Sequence, residues 1–204
     1  MPRVAWRGAC EAIVKETVSH RSGKDNEVDS SKFLNRETVA TAAAEELSRE
    51  NRGDGIVVKD LQRQLANAFV LFGNYKHYHW QVFGPLFRDL HELFDQLANE
   101  VLSTIDPLAE RIRMIGPDPV ADPIEWTNLA SVSVATPHTS LRYMIEEADQ
   151  NVLIVIREMR LAAYSADEHR DPGTVDLFAR FVQLHEKHEW WLRDMLRRGD
   201  GLVT

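Results

Sequence analysis

Residues 85–115 read PLFRDLHELFDQLANEVLSTIDPLAERIRMI, and this stretch decides the fold class. Its apolar side chains recur at intervals of three and four residues, and no strand-like alternation competes with that spacing. A proline opens the stretch, in a first turn where its missing N–H leaves no helical bond unmade. The stretch therefore predicts one long amphipathic helix, Pro85–Ile115.

Four potential metal ligands fall on one face of this helix: His91, Asp95, Asp106 and Glu110. At ~100° per residue they occupy a sector of roughly 100°. Each neighbouring pair, four residues apart, can share a metal ion. The two pairs, however, are about 22 Å apart at ~1.5 Å per residue, too far for one ion. A second copy packed antiparallel across a two-fold axis would bring the pairs together and create two identical sites between subunits.

The composition fits an ordinary globular protein of 204 residues, read as one domain with an appendage. A net charge of −8 and a pI near 5.5 argue against a general electrostatic grip on nucleic acid. The single cysteine, Cys10, excludes an intramolecular disulfide and a thiolate cluster. No signal-peptide pattern or long apolar run occurs, so the predicted location is the cytoplasm, with nucleoid association if DNA is bound.

The chain is predicted to divide into residues 1–55 and 56–204. The first part is an N-terminal arm, with a short helix assigned around Cys10 to Val18 and a helical stretch from Asn35 to Glu50. The second part is a bundle with a short C-terminal tail. Besides Pro85–Ile115, its predicted helices are Val57–Val82, Thr139–Tyr164 and Thr174–Arg198, with a short helix at Trp126–Ala130.

Four long helices with one long middle connection describe an all-α protein. The predicted fold is a ferritin-like four-helix bundle with a short helix in the connection between helices two and three.

Imidazole and carboxylate ligands without thiolate suit iron, manganese or zinc. Open coordination positions favour iron that turns over in redox chemistry above a closed structural zinc site. Each residue also has an ordinary role. The carboxylates could form a solvated helix face. His79 and Trp80, just before the Gly84-Pro85 turn, extend the series, but His79 could be a hydrogen-bonded helix histidine and Trp80 could fill the core or an interface.

The stretch Lys76–Phe87, KHYHWQVFGPLF, resembles the K-x-x-H-W-x-V-x-G-x-x-F motif of the Dps proteins, or mini-ferritins. Leu90-His91-x-x-Phe94-Asp95 and Asp106-x-x-Ala109-Glu110-Arg111-Ile112 continue the match in order and spacing. The resemblance covers roughly residues 57–198. Gln81 departs from the asparagine that often follows His-Trp in the family.

The resemblance implies a dodecamer enclosing a hollow shell. Such a protein is a ferroxidase that oxidises ferrous iron at two-fold interfaces, preferentially with hydrogen peroxide. It stores the ferric mineral inside and so protects DNA from oxidative damage. The residues matching His79, His91 and Asp95 come from one subunit and those matching Asp106 and Glu110 from its mate. Trp80 would lie close to the iron.

Further along the chain, the resemblance also assigns Asp171 and Asp176 to an acidic three-fold pore that admits iron. The alternative is that they solubilise a loop and complement a helix N-terminus. His185 and His188, only three residues apart, are assigned a structural role.

DNA binding is the open question. DNA-binding members of the family carry a lysine-rich arm, whereas residues 1–32 hold six basic against five acidic side chains. A nearly neutral arm on an acidic shell disfavours DNA binding. The alternative function is a DNA-coating nucleoid protein with secondary iron chemistry. A different di-metal bundle, such as a manganese catalase, would need a Glu-x-x-His motif on each of two helices, which this chain lacks.

Overall fold

The structure is a computed structural model that describes residues 38–43, 55–137 and 140–197. The chain divides into two units, Met1–Ala44 and Glu45–Thr204. In the first unit, residues 38–43 are helical, inside the predicted stretch from Asn35 to Glu50. The short helix predicted around Cys10 to Val18 lies outside the described residues, and so does the tail after residue 197. The boundary placed between residues 55 and 56 stays a prediction.

The second unit contains five described helices in this order: α1 (Ile56–Gln81), α2 (Phe87–Met114), α3 (Pro123–Leu129), α4 (Leu141–Glu168) and α5 (Pro172–Met195). The four long helices form the predicted bundle, and α3 lies in the connection between the second and third of them. Helix α1 packs against α2 and α4, and α5 packs against α4 and α2. The all-α, ferritin-like prediction is therefore confirmed.

The core follows from the helical spacing of apolar side chains, which the bundle buries from all four long helices. Its largest fully buried members are Tyr75, Tyr78, Phe94, Phe178, Leu61, Leu65, Leu71, Leu90, Leu97, Leu108, Ile112 and Met144. None of the helices in the described ranges is long and apolar enough to cross a membrane.

The connection that carries the chain across the bundle is held by amide side chains of α1. Asn67 Oδ1 accepts the backbone N–H of Ser131 at 2.8 Å. Asn74 Nδ2 donates to the Ser133 carbonyl at 2.7 Å, and its Oδ1 accepts the Ala135 N–H at 2.8 Å. Asn67 and Asn74 are buried, so these bonds satisfy polar groups that would otherwise be costly inside the bundle.

Most helix ends lie within a few residues of their predicted positions, and side-chain caps explain two differences. Asp122 Oδ1 accepts the N–H of Ile124 at 2.7 Å, so α3 begins at Pro123, three residues before the predicted Trp126. Asp171 accepts the N–H of Thr174 at 3.0 Å, so α5 begins at Pro172. The prediction for α4 was wrong at its end, because the helix continues four residues beyond Tyr164 to Glu168.

Two histidines of α5 are completely buried among the bundle helices. The rings of His185 and His188 lie 5.7 Å apart, and His188 Nε2 meets Glu100 Oε2 of α2 at 2.8 Å. Burial, with His188 adding a smaller effect, lowers the pKa of His185 to about 3. Burial is also the main cause that lowers the pKa of His188. The structural role predicted for both residues agrees with this position.

The buried His185 predicts a pH-dependent stability. Its folded pKa lies below the unfolded value of about 6.5, so the unfolded chain gains a proton first as pH falls. The His185 contribution to stability is present above pH 6.5 and falls by about 1.4 kcal/mol per pH unit down to the folded pKa. Urea unfolding at fixed protein concentration from pH 7 to 5 should show that His185→Leu weakens the pH dependence by this slope. His169→Ala, at an exposed histidine, should not.

Candidate metal centre

Two histidine rings meet where the turn at Gly84 joins α1 to α2. The rings of His79 and His91 stack with centroids 3.6 Å apart and an interplanar angle of 23°. His79 Nδ1 lies 2.7 Å from the carbonyl oxygen of His91, and His91 Nδ1 lies 2.8 Å from the carbonyl oxygen of His79. His79 stands in the last turn of α1, where carbonyls lack a partner in the helix, and the His91 ring supplies one.

This reciprocal contact fixes the tautomer of both rings. A carbonyl oxygen only accepts, so each Nδ1 must carry the hydrogen. The neutral ring then keeps its lone pair on Nε2, the atom that can bind a metal. Metal-binding histidines are commonly held through the other ring nitrogen by a backbone carbonyl in this way. The turn between α1 and α2 therefore presents two oriented imidazole donors.

Asp95 lies one turn after His91 on α2 and is half-buried. Its Oδ1 is 2.7 Å from Lys76 Nζ, and its Oδ2 accepts from Asn99 Nδ2 at 3.2 Å. The hydrogen bond from Lys76 is the main cause that lowers the pKa of Asp95, so the carboxylate stays ionised in mild acid. The Lys76 ammonium occupies a place beside Asp95 that suits a cation. A metal ion bound to that carboxylate oxygen has to displace it.

Trp80 follows His79 and is 71% exposed, so within one chain it does not fill the core. Lys76 Nζ lies 5.9 Å from the centroid of its ring, within the range of a cation–π contact. Trp80 thus stands at the protein surface, next to His79 in the sequence and within reach of Lys76.

Asp106 and Glu110 lie further along α2 and are exposed. Within one chain, no three His, Cys, Asp or Glu side chains of the described ranges converge closely enough to hold a metal ion. The structure thus brings His79 and His91 into contact, places Asp95 one turn away, and leaves Asp106 and Glu110 apart from all three.

Both proposed pore residues have partners within their own chain. Asp171 forms an ion pair with Arg111 of α2, accepts the Thr174 hydroxyl at 2.6 Å, and is only 14% exposed at its side chain. Asp176 lies 3.2 Å from Arg180 and is well exposed. Asp171 therefore links α2 to the start of α5, a role that the sequence interpretation missed.

A ferritin-like domain model matches residues 58–202. The DNA protection during starvation protein of Brevibacillus brevis is 36% identical over 136 residues, which cover 67% of this chain and 91% of that protein. This chain belongs to the Dps family. Dps from Thermosynechococcus elongatus has a TM-score of 0.69 and 47% identity, covering 72% of this chain and 94% of that one.

A more distant Dps structure describes the wider group. Dps from Vibrio cholerae O1 has a TM-score of 0.67 and 27% identity, and the match covers 69% of this chain and 89% of that chain. That protein is described as a member of a broad superfamily of ferritin-like diiron-carboxylate proteins.

In this Dps chain, the sequence interpretation gave no role to Lys76 or Asn99, which hold both oxygens of Asp95. A signal was present for Asn99, because it follows Asp95 by four residues on the same helix, and that spacing places the two side chains together. Lys76 had no such signal, because it reaches Asp95 from α1. The carbonyl contacts of the two histidines had no such signal, because they depend on the path of the chain through the turn.

Proposed function

We propose that this Dps protein binds and oxidises ferrous iron at centres shared between two subunits and stores the ferric product inside a closed oligomer. The observation that carries the proposal is the oriented histidine pair beside an ionised Asp95, with the remaining acidic ligands out of reach in the same chain. Nitrogen and carboxylate donors are the ligand types that iron uses in ferritin-like centres. The diiron-carboxylate description of the Vibrio cholerae Dps supports iron as the metal.

The ligand positions on α2 are symmetric about one point of the helix, as a two-fold axis through that point requires. The midpoint of residues 91 and 110 is the same as the midpoint of residues 95 and 106, between Glu100 and Val101. An antiparallel two-fold contact of α2 with its copy about that point would place His91 opposite Glu110 and Asp95 opposite Asp106 of the mate. We therefore propose that each centre combines His79, His91 and Asp95 from one subunit with Asp106 and Glu110 from the other.

The protein groups act on iron as a substrate. The two Nε2 atoms and the carboxylates bind and orient ferrous ions, and the carboxylates favour the more highly charged ferric product. With hydrogen peroxide as oxidant, two ferrous ions supply the two electrons: H2O2 + 2 Fe²⁺ + 2 H⁺ → 2 Fe³⁺ + 2 H2O. This route releases no hydroxyl radical, which explains how such a centre would protect DNA. Trp80, which follows His79 in the sequence, would serve as an additional electron donor.

As the resemblance to the family implies, peroxide should outpace oxygen as the oxidant. Anaerobic titration with ferrous iron, followed by peroxide or oxygen while ferric absorbance is recorded, tests this proposal. The expected results are faster oxidation with peroxide and consumption of two irons per peroxide. Saturable ferrous binding without oxidation by either oxidant would contradict the proposed function.

We propose a dodecamer, as in the family pattern, with Asp171 and Asp176 near the route by which iron enters. Asp176 is the better candidate for direct contact with iron, because its side chain is exposed while Asp171 caps α5. Exchange of Asp176 for asparagine should slow mineral growth while leaving the first oxidation at the centres unchanged. Equal mineral growth would remove Asp176 from that route.

The names of the relatives, DNA protection during starvation protein, keep the DNA-coating function as the second candidate. Arm charge disfavours it, because scattered cations on an acidic protein lose contact with phosphate as salt rises. Twelve arms together could still raise a weak affinity. DNA retention should be weak or absent at about 150 mM salt. Deletion of residues 1–32 should remove any residual retention without reducing iron oxidation. A gel shift that persists at that salt would favour the nucleoid function.

A further inference from the structure

A chain of aromatic rings runs through the interior of the bundle, from residues next to the proposed iron ligands to the surface at Trp191. Successive ring centroids are 5.2 Å apart from Tyr78 to Phe94, 6.3 Å from Phe94 to Tyr75, 6.1 Å from Tyr75 to His188 and 6.2 Å from His188 to Trp191. Every separation falls within the range of aromatic contact. The first four rings are fully buried.

The two ends of the chain lie at functionally different places. Tyr78 and Phe94 each precede a proposed iron ligand, His79 and Asp95, by one residue. At the other end, Trp191 is partly exposed and lines a surface cavity of about 600 Å³, together with the exposed Trp190. The same cavity is lined by Leu90 and Leu93, which flank His91 on α2. The rings thus connect residues next to the proposed iron ligands with the cavity at Trp191.

The hydroxyls of Tyr78 and Tyr75 differ in their hydrogen bonding. Tyr78 donates to Glu147 Oε2 at 2.7 Å. Tyr75 is completely buried, and its hydroxyl has no protein partner among the described residues. Burying a hydroxyl costs free energy, and a phenylalanine would fill this place without that cost. What tyrosine adds there, beyond packing, is a ring that can be oxidised.

We propose that Tyr78, Tyr75 and Trp191 form an electron path that supplies the second electron to peroxide when a centre holds a single ferrous ion. This inference rests on the proposed ferroxidase function. One electron comes from iron and one from Trp191: H2O2 + Fe²⁺ + TrpH + H⁺ → Fe³⁺ + Trp• + 2 H2O. The oxygen–oxygen bond breaks and both oxygens leave as water. Trp191 has given up one electron and its indole proton, and it remains as a neutral radical.

Carboxylates near the two tyrosines are the candidate acceptors for the phenolic protons. A phenol releases its proton when it is oxidised to a neutral radical. Glu147 receives the Tyr78 proton and returns it when Tyr75 reduces Tyr78. Tyr75 has no hydrogen-bonded base among the described residues. The carboxylate whose charge acts on Tyr75 is Asp149, which has one buried oxygen without a partner, so we assign the Tyr75 proton to Asp149.

At the far end, Lys187 Nζ lies 5.0 Å from the Trp191 ring centroid. A positive charge there disfavours a radical cation. The indole therefore loses its proton to water in the cavity, and the neutral radical remains.

The test mixes full-length protein, loaded anaerobically with one ferrous ion per centre, with one equivalent of hydrogen peroxide. Rapid-freeze electron paramagnetic resonance, on protein labelled with ring-deuterated tryptophan or tyrosine, then locates the radical. We expect a tryptophan radical that disappears in Trp191→Phe. Tyr75→Phe should lose most of the Trp191 signal and release more hydroxyl radical to a spin trap. It should fold normally, because it loses no protein hydrogen bond.

The matched control is Tyr143→Phe, at an exposed tyrosine of α4 outside the ring chain, which should behave as wild type. Ferrous oxidation is recorded in the same samples. If wild type oxidises iron but its radical is unchanged in both Tyr75→Phe and Trp191→Phe, the electron path is wrong while the ferroxidase stands. If wild type does not oxidise iron with peroxide, the proposed function itself fails. A radical that resides on Trp80 and vanishes in Trp80→Phe alone would also overturn the path.

Discussion

Replacing His91 with alanine should lower the rate of ferrous oxidation by about 100-fold or more. Even residues that only orient a ligand typically contribute about 10- to 100-fold, and His91 does more. In the proposed centre it provides one Nε2 donor, and its Nδ1 lies 2.8 Å from the carbonyl oxygen of His79. Loss of the ring removes one ligand and loosens the position of another. Stopped-flow absorbance with peroxide measures the rate, and His169→Ala provides a control at an exposed histidine.

Asp106→Ala should produce a loss of the same order, although Asp106 lies far from His91 in its own chain. The physical reason is that both belong to one centre in the proposed contact of two subunits. Because Asp106 is exposed, the folded subunit should tolerate the change. Glu125→Ala, at an exposed carboxylate of α3, should keep the wild-type rate. A wild-type rate in Asp106→Ala would remove Asp106 from the centre.

Replacing Leu102 with aspartate should dissociate the two-fold contact and abolish oxidation with every ligand still present. Leu102 is 48% exposed in one chain and stands next to the midpoint between the ligand pairs. It follows His91 by eleven residues, about three turns, and so lies on the same face. By the same symmetry, each new aspartate would lie opposite Asn99 of the partner subunit and about 4.5 Å along the axis from the other new aspartate. Two like charges would then lie close together inside the contact, at a cost on the order of several kcal/mol.

The matched control is Leu102→Met, which keeps the apolar volume and should preserve assembly. Sedimentation velocity measures the assembly, and the oxidation assay runs on the same samples. If Leu102→Asp keeps both the wild-type mass and the wild-type rate, the two-fold axis does not pass where the ligand positions place it.

Much of the fold could be predicted because helical spacing is a local property. The apolar residues of 85–115 repeat at the period of a helix, and α2 occupies nearly that range. Helix ends were less predictable, because they depend on caps and on neighbouring elements. Aspartate is a common N-cap residue, so Asp122 and Asp171 were suitable caps, but several polar residues nearby were suitable too.

The candidate centre divides in the same way. The spacing of His91, Asp95, Asp106 and Glu110 alone demanded a second subunit, since a helix has a fixed rise per residue. The contacts that those ligands make with other helices and across the turn could not be predicted from spacing on one helix. Lys76 reaches Asp95 from another helix, and the histidines exchange carbonyl contacts across a turn. Such contacts depend on how α1 and α2 pack, which a spacing on one helix does not determine.

The central claim, that each centre takes ligands from two subunits, is tested most directly by mixing inactive variants. His91→Ala and Asp106→Ala are dissociated, combined in equal amounts and reassembled. In a mixed pair, one centre lacks both ligands and the other contains every native ligand. Random pairing makes half of the pairs mixed, so about a quarter of the wild-type centres should return. Mixing His91→Ala with Asp95→Ala should restore none, because those ligands come from the same chain. Recovery of about a quarter of the activity in the first mixture and none in the second is the predicted result. No recovery in the first mixture, with reassembly verified by sedimentation, would contradict a centre shared between subunits.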